Sequence, residues 1–154
     1  MATIEQELAA HAVIGLDTSI FIYHLEAHPA YLPLTTAILN MVQNGERQAV
    51  VSTIALMELT VHPWRHNQPM IARQYETMLV HFPHLRLADV TREVARRAAQ
   101  VRAGYNVRPA DALHIATALV NGATAYITND KGLTRLSPLL AVVVLNDFFV
   151  RPPQ

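Results

Sequence analysis

Cysteine is missing from the 154 residues, which excludes a disulfide framework, a thiolate zinc site and a thiol nucleophile. Lysine is almost missing too: Lys131 is the single one among 12 basic residues, and the rest are arginine. Glycine stands at only five positions, and none of them builds a phosphate-cradling loop, a G-x-S-x-G elbow or a G-x-G-x-x-G fingerprint after the first strand. No apolar run approaches the roughly 18 residues of a membrane span. The N-terminus MATIEQELAA carries acids where a secretory signal would carry basic residues. The expectation is a cytoplasmic protein. Charge of neither sign is in excess, 12 acids facing 12 bases, so composition carries no footprint of a nucleic-acid binder.

What is present points to one folded domain over 1–154, with a core of about 12–148. The hydrophobic fraction is 51%, too high for a disordered chain. Short apolar runs at Ala12–Leu16, Gln48–Val51, Leu85–Leu87, Ala123–Thr128 and Ala141–Leu145 read as buried parallel strands. Helices are expected from Ile20, over Leu32–Gln43, Thr53–Val61, Met70–Phe82 and Arg92–Tyr105, and from Pro109 to a stop at Gly122. Pro63 predicts a loop over His62–Gln68. His62 and His66 have the i, i+4 spacing of a metal pair, but no third ligand stands near them. Residues 1–11 suggest a short amphipathic helix, and 150–154 a frayed tail.

Against this apolar background four acids stand alone. Asp17 closes the first strand, Glu58 is the one charge in VSTIALMEL, and Asp111 and Asp130 bracket an apolar helix–strand unit. Each has an ordinary explanation by itself. Asp17 suits a helix N-cap, and Glu58 suits a buried salt bridge to an arginine. Four carboxylates gathered in one place would raise one another's pKa and need a cation to stay ionised. With oxygen donors only, that cation is hard, Mg²⁺ or Mn²⁺. Such a site suits phosphodiester hydrolysis by a metal-activated water. His114 reads as a core residue or a supporting one rather than a ligand.

The four acids lie in the motifs DTSIFI (17–22), VSTIALMEL, PADALHIATAL (109–119) and ITND (127–130). In that order they resemble the acidic motifs of the PIN-domain nucleases, and within them the VapC toxins of bacterial toxin–antitoxin pairs. The resemblance spans about Val13 to Leu145. It implies a three-layer α/β/α sandwich with a central parallel sheet, a homodimer, a cognate antitoxin, and Mg²⁺- or Mn²⁺-dependent cleavage of RNA. It also implies that Asp17, Glu58, Asp111 and Asp130 surround the metal, that Ser19 or Thr128 supplies supporting hydroxyls, and that Asn129 makes a neighbouring polar contact. Arg92, Arg96 and Arg102, with Arg108 and Arg135, are the candidates for RNA phosphates. The alternatives are a PIN-fold RNA-processing nuclease without an antitoxin, and a catalytically silent PIN-fold binding module.

Overall fold

The computed structural model describes residues 1–151. Its elements follow from the local signals. Thr3 and Gln6 cap one another's backbone at the start of α1, Ile4–Leu8, and only the apolar Ile4 and Leu8 turn inward. Then follow β1 (Val13–Leu16), α2 (Thr18–Leu25), α3 (Leu32–Gln43), β2 (Gln48–Ser52) and α4 (Thr53–Arg65). Ser52 leaves β2 and caps α4 in one step, its hydroxyl accepting the Ile54 N–H at 3.1 Å. The chain continues through α5 (Pro69–His81), β3 (Leu85–Ala88), α6 (Arg92–Tyr105), α7 (Pro109–Val120), β4 (Ala125–Thr128) and β5 (Ala141–Val144). Pro109 is the first residue of α7, where a missing N–H breaks no helical bond. Gly122, at φ +86°, reverses the chain after α7.

All strand pairs are parallel, and the order across the sheet is β3-β2-β1-β4-β5. The chain builds outward from β1 to β3 and then returns to lay β4 on the other side of β1. The point where the order reverses therefore lies between β1 and β4, and a crevice opens there at the strands' carboxyl ends. Because neighbouring strand residues face opposite ways, both sides of the sheet are apolar. Ile14, Leu16, Ala125 and Ile127 meet the first five helices, while Tyr126 and the flanking Val13 meet α6 and α7. Three layers result, helices on both faces of a five-stranded parallel sheet.

Gly15 sets how closely one of those faces packs. A Cβ there would stand 2.7 Å from the Ala118 Cβ and 3.0 Å from Tyr126 Cδ2. Helix α7 thus lies against β1 at a distance only glycine allows, and α7 carries Asp111 and His114.

Two linked expectations need correction, the helix stop at Val61 and the loop over His62–Gln68. Helix α4 does not stop at Val61 but runs through Pro63 to Arg65. Proline removes one interior helical hydrogen bond, yet Pro63 is buried, and the Gln68 N–H returns to the Pro63 carbonyl at 2.9 Å to close the last turn. Packing outweighs the lost bond. After β4, Lys131–Leu136 forms a 3-10 helix, with Leu133 and Leu136 buried. Of the expected frayed tail, 152–154 lie outside the described residues.

Candidate active site

Asp17 is the first residue past β1. Its N–H donates to the Ile127 carbonyl at 3.0 Å, which extends the β1–β4 pairing by one bond. It stands at the N-cap of α2, but its side chain makes no capping bond. Instead Oδ2 accepts the Thr128 hydroxyl at 2.7 Å. Thr128 ends β4, is fully buried, and its oxygen also accepts the Asp130 N–H at 3.1 Å. One hydroxyl thus fixes Asp17 and Asp130 relative to each other across the switch point.

Glu58 enters from the second turn of α4. The arginine expected beside it is replaced by a histidine: His114 Nε2 lies 2.5 Å from Glu58 Oε1, and Thr18 Oγ1 donates to the same oxygen at 2.9 Å. Oε2 has no hydrogen-bond partner among the described residues. Both donors grip one oxygen, so the other is presented to the crevice. The His114 hydrogen bond is the main reason the Glu58 carboxyl sits below the usual carboxylate range; burial pushes the other way, and Thr18, the His114 charge and Arg108 add to the lowering. Repulsion from the other acids, expected to raise it, is not among these causes. His114 is 4% exposed, and its Nδ1 is buried with no partner.

Asp111 occupies the first turn of α7, where the helix's partial positive charge favours a carboxylate. Arg108, at the N-cap of the same helix, donates from Nε to Asp111 Oδ2 at 2.9 Å and places Nη2 3.8 Å from Asp130 Oδ2. Its side chain is 78% exposed. The Asp111 hydrogen bond, then the Asp111 charge, and further out Asp130 and Asp17, raise the Arg108 pKa. Asp130 also accepts the Gly132 N–H on Oδ1 at 2.8 Å, which caps the 3-10 helix. Arg108, Arg135, Asp111 and Asp130 line a small cleft of about 130 Å³.

The four acids all lie within reach of the buried Tyr126. Its hydroxyl is buried without a hydrogen-bond partner. Burial, followed by the charges of Asp17, Asp111, Glu58 and Asp130, pushes its pKa well above the ordinary tyrosine value. Every donor in the set is a carboxylate oxygen. Among the described residues no three His, Asp or Glu side chains converge tightly enough to hold a metal ion in their present rotamers, and Arg108 sits where Asp111 and Asp130 would meet one.

The remaining candidates brace the site or stand apart from it. Asn129 Nδ2 donates to the Tyr23 hydroxyl at 3.2 Å, and its Oδ1 accepts the Asn146 N–H at 2.9 Å, so it ties β4 to α2 and to the turn after β5. Ser19 Oγ is buried with no partner. Thr18, which the sequence left unmarked, makes the contact to Glu58. Arg135 reaches the Asn106 carbonyl and Arg102 the Val107 carbonyl, bracing the loop before α7. Arg92 and Arg96 are exposed on α6 and make no hydrogen bond to the acids among the described residues. The signal for His114 was visible in retrospect: it is the one long polar side chain of α7 placed one helical turn beyond Asp111. A second cleft of about 410 Å³ begins at Glu58 and runs between α2, α4 and α5, past Ile22, Glu26, His62 and Tyr75.

No curated protein matches the chain in sequence. Solved structures match the fold. A toxin–antitoxin complex from Klebsiella pneumoniae superposes with a TM-score of 0.64 at 20% identity, covering 86% of this chain and 97% of the other. DNA-bound VapBC from Salmonella typhimurium gives 0.63 at 21%, with the same coverage of 86% and 97%. FitAcB from Neisseria gonorrhoeae likewise gives 0.63 at 21%, over 86% and 97%. The PIN domain family model matches residues 14–138, a span that includes all four acids, His114 and every strand but β5; the chain belongs to the PIN domain family.

Proposed function

We propose that the protein is a metal-dependent endoribonuclease, the toxin of a toxin–antitoxin pair, which hydrolyses RNA phosphodiester bonds with an activated water. The observation that best supports this reading is that lone carboxylates from four separate elements, Asp17 after β1, Glu58 on α4, Asp111 on α7 and Asp130 after β4, all act on the buried Tyr126, with Arg108 shared by Asp111 and Asp130. A folding requirement does not explain it. Asp17 forgoes the capping bond open to it, and Glu58 leaves one oxygen uncommitted.

The donor set fits Mg²⁺ or Mn²⁺. All ligands are hard oxygens, and a cation already stands between Asp111 and Asp130 in the form of the exposed Arg108 guanidinium, which can turn away at small cost. Asp17, Asp111, Asp130 and the uncommitted oxygen of Glu58 would hold the ion. When bound, it supplies an activated water and offsets charge on the attacked phosphate. The protein's own part is orientation. Thr128 aims Asp17, His114 and Thr18 aim Glu58, and Arg108 with Arg135 offers guanidinium forks suited to phosphate oxygens.

Partners follow from the same reading. The similar structures are described as toxin–antitoxin complexes, which supports a small antitoxin protein here. The exposed Met57, Val61 and Trp64 repeat at helical spacing along α4 and offer an apolar surface for a protein partner, whether antitoxin or a second copy. No helix among the described residues is long and apolar enough to cross a membrane.

The test is incubation of the purified protein with a mixed pool of structured RNAs in Mg²⁺, in Mn²⁺ and in EDTA, beside D111N. Cleavage that needs metal and disappears in D111N supports the proposal. Metal binding without cleavage of any RNA would leave the site and remove the ribonuclease. Neither binding nor cleavage would favour a silent binding module.

A further inference from the structure

Two of the four acids, Asp111 and Asp130, share a cation supplied by their own chain. Arg108 is bonded to Asp111 at 2.9 Å and stands 3.8 Å from Asp130. Its charge also acts on Glu58 and is itself stabilised by Asp17. A single guanidinium is therefore shared by Asp111 and Asp130, while Glu58 is held by His114 and Asp17 by Thr128. Structural ion pairs of this importance are usually enclosed, yet Arg108 is 78% exposed, against 15% for Asp111. The acid is built in and the base is laid over it. Nothing fixes the far end: among the described residues the Arg108 side chain hydrogen-bonds to Asp111 alone. Its backbone, in contrast, is anchored, with extended φ and ψ of −61° and 151° at the N-cap and Pro109 directly after it. The side chain can pivot about a fixed point at the mouth of the crevice.

Resting on the nuclease reading, we infer that Arg108 is a phosphate ligand held in reserve: it occupies the carboxylates of Asp111 and Asp130 until a divalent cation takes them, and the released guanidinium then binds the RNA backbone beside the cleavage site. A guanidinium on the Oδ2 side of Asp111 and Asp130 and a divalent cation drawn to the same two carboxylates repel each other, so each weakens the other's hold. Losing its carboxylates leaves Arg108 as an exposed cation, with five N–H donors, next to the place where the scissile phosphate must lie. By linkage, whatever releases Arg108 raises affinity for phosphate, and phosphate bound to Arg108 raises affinity for the metal. Metal loading and substrate binding are thereby made cooperative without any change in the backbone.

The experiment is a calorimetric titration of Mn²⁺ into wild type, R108Q and R108K, repeated with a short mixed-sequence 2′-O-methyl RNA as the titrant in the presence and absence of Mn²⁺. R108Q removes one positive charge a few ångströms from the ion, and its Mn²⁺ affinity is expected to rise about tenfold. R108K, keeping the charge but not the fork, falls between. RNA binding to wild type strengthens when Mn²⁺ is present, and R108Q loses that gain. Its salt dependence, taken as log K against log salt, also flattens by about 0.7 in Mn²⁺, the loss of one backbone contact to a single strand. A residue that merely orders the acids gives the reverse sign, R108Q binding Mn²⁺ more weakly, and this result overturns the inference. So does an R108Q that binds Mn²⁺ more tightly but keeps the full metal-dependent gain in RNA affinity, since Arg108 is then a competitor and no ligand. If wild type binds no Mn²⁺ at all, the metal site itself fails, and with it both this inference and the reading on which it rests. Arg108 is exposed and outside the core, so thermal melts of R108Q should match wild type; a large fall would identify it as a structural ion pair and reject the idea.

Discussion

Replacing Gly15 by alanine tests whether the contact between β1 and α7 sets the site. The added methyl carbon would stand 2.7 Å from the Ala118 Cβ, about 1 Å inside the optimum of 3.5–4.0 Å for two carbons. Neither atom can rotate away, since both are fixed by their backbones. Strand β1 is also held on both sides, Gly15 pairing with Val50 in β2 and Tyr126 in β4. Helix α7 must therefore move. Overpacking of this kind costs about 1–3 kcal/mol, and at this chain length each kcal/mol lowers the melting temperature by about 2–4 °C. G15A is expected to melt about 4–8 °C below wild type. It should also lose metal affinity, because α7 carries Asp111 and His114 while β1 delivers Asp17. The decisive partner is A118G. Alone it costs about 1 kcal/mol for glycine in a helix and about 0.8 kcal/mol for the lost buried methyl. In the double variant the methyl added at position 15 fills the space that Ala118 gave up, so the pair should be more stable than the sum of the singles by about 2 kcal/mol. Urea titrations of all four proteins read this coupling directly. Additive losses, or a G15A within about 0.5 kcal/mol of wild type, would refute the claim that glycine is required for close approach.

Four further outcomes follow from the site. H114F leaves Glu58 without its principal donor and should cost about 1.5–3 kcal/mol, with weaker Mn²⁺ binding that H114Q partly restores; calorimetry and urea melts check both. Glu58 has a folded pKa below its unfolded one, so its stabilising contribution is complete above the ordinary carboxylate range and is lost as pH falls through the folded value; E58Q should flatten that acid limb in melts taken from neutral pH downward. Tyr126 is the opposite case: its contribution is intact below an unfolded pKa of about 10, and is lost as pH rises through the higher folded value. Y126F, which removes a buried hydroxyl that makes no hydrogen bond, should equal or exceed wild type at neutral pH and resist alkaline unfolding better. D17N abolishes cleavage in the RNA assay while its melting temperature holds or rises, since a charge repelled by its neighbours is gone; a fall of several degrees would instead make Asp17 a structural residue.

The fold was legible because its strands are short apolar runs between clear stops, and parallel strands buried on both faces leave that signature. The acids were legible for a related reason. A lone charge in a run that must be buried is costly, and four of them in register with such runs cannot be noise. What the sequence hid was pairing. Asp17 has the residue type and position of an N-cap, and only the fold shows that Thr128, 111 residues away, takes its carboxylate instead. Glu58 called for a cation, but nothing local distinguishes His114, 56 residues on, from any of the arginines. Thr18 and Ser19 are both small hydroxyl residues in the first turn of α2, and which one faces Glu58 is set by the helix's roll against α4. Pro63 misled in the same way: its local rule ends a helix, and its burial in the fold overrules it.

The site is kept together by the fold as a whole rather than by any one element. Its four acids come from positions 17, 58, 111 and 130, and the contacts that aim Asp17 and Glu58 all run between elements far apart in the chain. Thr18 to Glu58 spans 40 residues, His114 to Glu58 spans 56, and Thr128 to Asp17 spans 111. The full set of these bonds forms only when β1 has β2 on one side and β4 on the other. The four carboxylates therefore depend on the complete sheet for their placement. In a partly folded chain they are four unrelated acids with no reason to converge. A site so assembled depends on global stability, and its weakest contact is the exposed one, Arg108 on Asp111 and Asp130. The rest of the cluster is held by buried hydroxyls and a buried imidazole, so this exchangeable guanidinium is the one part that can change partners while the fold stays as it is.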